Sequence, residues 1–213
     1  ALIRQQVQEH AALMLGVSDP ARLELRDRRA IAPDGRSVTF EEIGLSSLHM
    51  LDQHQLMASA SHLSPVSPPP TAAQFAELEV DLETGKICVQ RLLMVVDCGR
   101  VINPLTAVGQ VEGGMSHGLG FALSEDMTLD AEGHLLTTDF IQYKIPHFKN
   151  NPVTDVIFVQ TDEPSGPYGA KSVSELSIDG VAPAVADAIH NATGVWMRNL
   201  PYTPEKVLKA IKK

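Results

Sequence analysis

The chain has 213 residues, of which 44% are hydrophobic, and a formal net charge of −9 at pH 7. Such a chain can bury one main core with a minor lobe, which excludes wholesale disorder. The acidic balance argues against nucleic acid and anionic membrane surfaces as partners, because both attract clustered Lys and Arg. Its longest apolar runs have five residues, as at 92–96, far fewer than the roughly 20 residues that span a bilayer. Two cysteines are too few for a disulfide framework, so we expect a reducing, cytoplasmic location.

Three parts are predicted along the chain. Residues 1–63 form an N-terminal part, a connector rich in proline and serine covers 64–72, and residues 73–213 form the C-terminal part. The first predicted helix, 1–16, has no capping residue before it. We therefore expect the chain to be the C-terminal piece of a larger polypeptide or complex.

The predicted elements follow from hydrophobic periodicity and from turn signals. In chain order they are a helix at 1–16, a hairpin between 23–25 and Val38, a helix that starts at a capping box of Thr39 and Glu42, a weakly patterned helical stretch at 46–61, strands at 78–82 and 87–96, a glycine-rich segment at 109–123, a hairpin turn at 130–133, a strand at 156–159, and helices at 181–192 and after Thr203. Strands and helices intermix without regular βαβ alternation. This order predicts an α+β fold with a mixed or antiparallel sheet and packed helices.

Five glycines lie between Gly109 and Gly120, within a segment that is otherwise predicted to be helical. Each costs an exposed helix about 1 kcal/mol relative to alanine, so something must approach the backbone closely. Tight packing against another helix is one explanation. A bulky polar ligand on the bare backbone N–H groups is the other, and this segment alone does not decide between them.

The same segment contains Gly114-Met115-Ser116-His117-Gly118, the G-x-S-x-G pattern of a serine hydrolase. That pattern places the serine on a sharp turn from a strand into a helix. Here the residues before it look helical and the preceding strand ends before Asn103. A hydrolase that uses Ser116 is therefore a minor alternative.

A rigid loop, 166–175, ends in Glu175. Its Gly-Ala-Lys-Ser sequence is not a phosphate-binding loop, because that motif needs Gly-Lys-Ser to be contiguous. Glu175 is flanked by the apolar residues Val173 and Leu176, which favours partial desolvation. A carboxylate in such surroundings can act as a general base, although a lone glutamate is more often solvated or a helix cap.

Taken together, these stretches resemble the molybdenum hydroxylase family of xanthine dehydrogenase and aldehyde oxidase. The match lies in the C-terminal part of the large subunit, its second molybdopterin-binding domain, and the 172–175 version is similar to bacterial, purine-type enzymes. Six motifs carry the resemblance in the same order: 67–81, Asp97-Cys98-Gly99 with Ile102-Asn103-Pro104, 109–113, 143–146, 169–171 and 203–207. Ser174 and Leu176 depart from the Gly and Pro that many members have.

The resemblance implies which residues form the site, and it favours the ligand explanation of the glycines. Glu175 would be the general base beside molybdenum, which the dithiolene of the pterin holds instead of protein side chains. The cofactor would lie against Gln110 and the segment around it, and against the backbone of the loop. The implied cofactor-binding residues are Gly109, Gln110, Gly113, Lys171, Ser172, Val173 and Ser174.

The resemblance also implies an activity and partners. Such enzymes oxidise an electron-poor C–H carbon of a purine, another N-heterocycle or an aldehyde, with water as the oxygen source. The cofactor would be molybdopterin, as such or as its cytosine dinucleotide, and 2Fe-2S clusters and FAD would lie on partner subunits or domains. The remainder of the molybdopterin-binding subunit would complete the site, so we expect the isolated chain to be inactive. A non-catalytic assembly module of the same complex is the alternative.

Overall fold

The computed structural model describes residues 2–49, 55–61 and 63–212. The chain divides into two compact units, Ala1–Leu63 and Ser64–Lys213. Both contain helices and β-sheet, and the second sheet is mixed. The predicted α+β class is confirmed.

The first unit is a small three-stranded antiparallel sheet with two helices. Its elements are α1 (Leu2–Leu15), β1 (Glu24–Arg26), β2 (Arg29–Ile31), β3 (Ser37–Thr39) and α2 (Phe40–His49), with strand order β1-β2-β3. Apolar side chains of both helices and of the sheet, among them Ala11, Val38 and Ile43, form its core. The sequence predicts two strands here, and β2 is an addition.

The start of α2 follows the predicted capping box. The Glu42 backbone N–H donates to Thr39 Oγ1 at 3.1 Å, and the Thr39 N–H donates to Glu42 Oε2 at 2.8 Å. The helical stretch expected at 46–61 is only partly present. α2 ends at His49, residues 50–54 lie outside the described residues, and 55–61 are not helical.

The second unit contains a three-stranded mixed sheet covered by helices. Its strands are β4 (Thr71–Val80), β5 (Ile87–Asp97) and β6 (Val153–Phe158). β4 pairs with β5 antiparallel and β5 pairs with β6 parallel. β4 begins two residues inside the segment that the sequence assigns to the connector. The helices are α3 (Pro104–Leu123), α4 (Leu176–Asp179), α5 (Val181–Thr193) and α6 (Pro204–Ile211).

The core of this unit lies between the sheet and its helices. Alternate residues of β5, namely Leu92, Met94 and Val96, are at most 2% exposed and face α3 and α5. α3 is also the connection between β5 and β6, and parallel neighbours need a long crossover of this kind. The fold thereby places the end of β5 next to the start of α3. In the described part of the chain, no helix is both long enough and apolar enough to cross a bilayer.

Candidate functional site

The glycine-rich segment belongs to one continuous helix, α3, whose start is well defined. Asn103 is the N-cap, its side chain accepts from the Thr106 N–H, and Pro104 occupies the first helical position. Both residue types are typical of a helix start. The Asn side chain accepts from a backbone N–H that has no partner in the helix, and proline has no backbone N–H that would need one. Residues 104–110 therefore form a fixed wall that begins after the six residues that follow β5.

Two different environments account for four of the five glycines of α3. A Cβ on Gly114 would lie 1.8 Å from Ser177 Oγ of α4, and one on Gly118 would lie 2.8 Å from the Ile178 carbonyl oxygen. These two glycines allow close helix packing. In contrast, a Cβ built on Gly109 or Gly113 would have no atom of the described residues within 4 Å apart from its chain neighbours and the nearby backbone of α3 itself. The open side of α3 is thus free to receive a group that is not part of this chain.

Loop 166–175 is fastened to the end of β5 by backbone hydrogen bonds. Gly99 forms an isolated antiparallel bridge with Ala170. The Arg100 N–H donates to the Gly169 carbonyl at 2.8 Å, and the Lys171 N–H donates to the Cys98 carbonyl at 2.7 Å. Gly99 has a φ of +69°, and a Cβ there would lie 2.4 Å from the Gly169 oxygen. Only glycine permits this close approach.

An ion pair adds to this attachment. Lys171 Nζ lies 2.9 Å from Asp97 Oδ2, and the two side chains are only 14% and 18% exposed. Asp97 also accepts hydrogen bonds from the Gly99 N–H at 2.8 Å and from Thr161 Oγ1 at 2.7 Å. The hydrogen bond from Lys171, supported by the other two, lowers the pKa of Asp97 to about 2. The Lys171 ammonium group therefore holds the loop in place.

These attachments create an open cleft of about 430 Å³ at the end of β5. Its walls are the residues after β5, the first turns of α3, and the loop. The structure brings four of the predicted site residues to this cleft: Gln110, Lys171, Val173 and Ser174. Gly109, Gly113, Ser172 and Glu175 lie outside its lining.

Glu175 lies one residue beyond the cleft and starts α4. Its backbone carbonyl accepts from the Ile178 N–H at 2.9 Å. The expected partial desolvation is wrong for this chain, because the side chain is exposed. Its apolar neighbours Val173 and Leu176 turn toward the core instead, where they pack against buried residues. Beneath them, the fully buried Ser177 donates to the Ser174 carbonyl at 3.0 Å and supports the end of the loop.

Ser116 is not on a nucleophile elbow. It lies within α3, more than two turns after the start of that helix, with no strand leading into it. Its hydroxyl donates to Asn151 Oδ1 at 2.9 Å, and no described histidine is hydrogen-bonded to it. The strand-to-helix turn that activates such a serine is absent here, so the hydrolase alternative is wrong.

Sequence reasoning missed several cleft residues, Arg100 and Asn103 among them, and the anchor of the loop. Among the described residues, no carboxylate forms an ion pair with Arg100. Asp97, the anchor, is part of a motif that carries the resemblance, but its role depends on Lys171, which is 74 positions away. No group of three or more His, Cys, Asp or Glu that could hold a metal ion occurs within the described ranges.

Comparison with known proteins identifies the class that this fold and cleft represent. Residues 1–152 match the family model described as molybdopterin cofactor-binding domain. The chain belongs to this family. The match includes Gln110 and the two open glycines, Gly109 and Gly113, and it ends before the loop.

Relatives extend the similarity over the loop. The chain is 35% identical over 212 residues to the probable hypoxanthine oxidase XdhD of Escherichia coli K12, which is 99% of this chain and 22% of that protein. It is 33% identical over 210 residues to the putative xanthine dehydrogenase molybdenum-binding subunit XdhA of the same strain, 97% of this chain and 28% of that protein. The chain thus spans about a quarter of the length of these relatives.

Solved structures give the same assignment. Quinoline 2-oxidoreductase from Pseudomonas putida 86 matches with a TM-score of 0.72 and 26% identity, over 99% of this chain and 28% of that chain. The aldehyde oxidoreductase of Desulfovibrio gigas matches with a TM-score of 0.62 and 36% identity, over 68% of this chain and 16% of that one. The chain is therefore a molybdopterin-binding domain of the type found in xanthine dehydrogenase and aldehyde oxidoreductase proteins.

Proposed function

We propose that the cleft at the end of β5 binds one side of the molybdopterin cofactor in a xanthine dehydrogenase-like hydroxylase. The observation that carries this proposal is the convergence of Gln110 with loop residues 171, 173 and 174 in one open cleft of a molybdopterin-binding domain. The residues fit the group. An amide, a hydroxyl and backbone groups can hydrogen-bond a pterin, and bare backbone at Gly109 and Gly113 leaves room beside it.

Positive charge at the cleft suits the phosphate of this cofactor. Arg100 lines the cleft beside the N-terminus of α3, and helix N-termini favour anions. Lys171 does not contribute its charge in the same way, because its ammonium group is bonded to Asp97. The cofactor is molybdopterin or its cytosine dinucleotide.

Glu175 is the proposed general base. When bound, the cofactor supplies the redox-active metal at which oxygen derived from water is inserted into an electron-poor C–H bond. The Glu175 carboxylate accepts the proton released in that reaction. The Glu175 side chain is exposed and does not form a capping hydrogen bond to α4, so its carboxylate can turn toward a bound group. A purine, another N-heterocycle or an aldehyde provides the electron-poor carbon, in keeping with the names of the relatives.

The whole enzyme needs further parts. Four-thiolate iron–sulfur clusters need more than the two cysteines of this chain, so 2Fe-2S clusters and FAD belong to partner subunits or domains. The remainder of the molybdopterin-binding subunit covers the open side of the cleft. Both cysteines are free, which agrees with a cytoplasmic location.

One observation favours a second candidate, a non-catalytic assembly module of the same complex. Glu175 lies outside the cleft lining and is exposed. Substitution of Glu175 in the assembled enzyme separates the two functions.

The first test addresses cofactor binding through Gln110→Ala in the full-length subunit. We expect molybdenum and pterin content to fall severalfold, because a side-chain amide hydrogen bond contributes about 0.5–1.5 kcal/mol. Gln160→Ala, at an exposed position outside the cleft, is the matched control and retains full content. Equal content in both variants would refute the proposed location.

The second test addresses the base through Glu175→Gln in the assembled enzyme. We expect unchanged molybdenum content and a fall in turnover of about 10²–10⁴-fold, the usual range for loss of a general base. Asp179→Asn, on the exposed side of α4, controls for the loss of one carboxylate. Near-normal turnover in Glu175→Gln would remove Glu175 from the mechanism and support the assembly module.

A further inference from the structure

A second cleft, far along the chain from the first, carries concentrated positive charge. It has a volume of about 500 Å³ and lies between residues 195–199 and α6. Three cationic side chains line it: Arg198, Lys206 and Lys209. The whole chain has a net charge of −9, so this concentration runs against the overall balance.

None of the three cations is neutralised. Among residues 2–49, 55–61 and 63–212, no carboxylate forms an ion pair with any of them. Lys206 Nζ donates to the Leu200 carbonyl at 2.8 Å, which fixes its position but leaves its charge. The Arg198 guanidinium lies 5.7 Å from the centre of the Trp196 ring, a contact that orients it without supplying a negative charge.

Both walls of the cleft are rigidly anchored. Met197 is 8% exposed and belongs to the core, so its neighbours Trp196 and Arg198 turn outward. On the other wall, Val207 is 1% exposed and holds α6 against the same core, with Lys206 and Lys209 on the cleft side. The backbone that carries the cations is thus held in place, which lowers the entropic cost of binding.

The chemistry of the lining favours a polypeptide over a small anion or a nucleotide. Trp196 is already engaged within this chain, because its ring stacks on His190 at 4.1 Å between ring centroids and the Arg198 guanidinium lies 5.7 Å from its centre. The lining mixes cations with the apolar residues Val195 and Ala210. A half-exposed Trp beside an Arg is also typical of the energetically dominant residues of protein interfaces.

We propose that this cationic cleft docks an acidic polypeptide segment that lies outside residues 1–213 of the complex. The relatives with which this chain shares its fold are about four times its length, so such polypeptide accompanies the domain in them. Aspartate or glutamate side chains of the segment pair with Arg198 and Lys209, and its apolar side chains contact Trp196. The proposal does not depend on cofactor binding or on the role of Glu175.

The test is zero-length carbodiimide cross-linking of the assembled complex, followed by peptide mass spectrometry. We expect Lys206 or Lys209 to be joined to an Asp or Glu outside residues 1–213, and we expect salt to lower the yield. Lys149, an exposed lysine elsewhere in the unit, is the control for non-specific linkage. We expect it to be joined to different carboxylates or to give a lower cross-link yield. Cross-links of Lys206 and Lys209 confined to residues 1–213 would overturn the proposal.

Matched variants test the contribution of charge. Arg198→Glu with Lys209→Glu should lower the yield of the Lys206 cross-link at least tenfold, whereas Lys209→Arg, which keeps the charge, should preserve it. Lys149→Glu should leave it unchanged. An unaltered Lys206 cross-link in the double variant would show an unrelated contact. Loss of this cross-link in the unsubstituted complex on addition of inorganic phosphate at constant ionic strength would show a small-anion site. Either result would overturn the docking proposal.

Discussion

Replacing Asp97 with asparagine should destabilise the second unit far more than the same change in an exposed ion pair. Asp97 has an ordinary pKa of 3.8, which its partners lower to about 2. That difference corresponds to about 2 kcal/mol of stabilisation of the charged form in the folded state. Asp97→Asn removes the charge and leaves Lys171, only 14% exposed, without a counter-ion. We therefore expect Asp97→Asn to lower the free energy of unfolding by about 2 kcal/mol at pH 7.

The matched control is Asp155→Asn. Asp155 pairs with Arg91 at 2.6 Å, but these side chains are 41% and 54% exposed. Solvent screening limits such a pair to about 0–1 kcal/mol. The two variants therefore differ in burial of the pair and not in the chemistry of the substitution.

Trp196 provides the assay. It is the only tryptophan of the chain and lies in the second unit, so its fluorescence during urea unfolding reports on that unit. The pH dependence gives a further check. A carboxyl whose folded pKa is lowered stabilises the protein above its unfolded pKa, and this contribution disappears as the pH falls through the folded pKa. The difference in free energy of unfolding between wild type and Asp97→Asn should thus become smaller as the pH falls from about 4 to about 2. Equal losses in Asp97→Asn and Asp155→Asn would refute the reasoning.

Two further predictions concern local packing and capping. Gly114→Ala should lower the free energy of unfolding by about 1–3 kcal/mol, because its Cβ would collide with Ser177, whereas Gly113→Ala in open space should raise it by about 0.5–1 kcal/mol. Urea unfolding measures both, and destabilisation by Gly113→Ala would contradict the assignment. Thr39→Ala should lower the free energy of unfolding by about 1 kcal/mol and speed amide hydrogen exchange in the first turn of α2, since the Glu42 backbone N–H loses its acceptor, Thr39 Oγ1. Unchanged exchange there would show that the cap is dispensable.

Strong periodicity and capping chemistry made several elements of the fold predictable. β5 and α5 carry long apolar patterns, and both occur within one residue of the expected positions. β2 was missed because its turn lacks the usual signal. Asp27 and Arg28 both have positive φ, 50° and 59°, as in a tight hairpin turn that normally contains glycine.

The site was only partly accessible to sequence reasoning because its walls come from distant segments. The resemblance located Gln110 and the loop, and the structure brings Gln110 and three of the predicted loop residues to one cleft. The role of Asp97 depends on a contact with Lys171 across 74 positions, which no local pattern encodes. The glycines of α3 show the same limit. The sequence offered packing or a ligand, whereas the structure assigns Gly114 to packing and leaves Gly113 open.

The attachment of loop 166–175 to the end of β5 also constrains the route by which a ligand reaches the cleft. The Gly99–Ala170 bridge, the two backbone hydrogen bonds beside it and the Asp97–Lys171 ion pair hold the walls together. Separating the walls would break all of these interactions at once, so the two walls do not open by a hinge motion. A ligand enters through the open side instead. Any polypeptide that covers that side must therefore arrive after the ligand, or move aside for it, which makes loading a matter of assembly order.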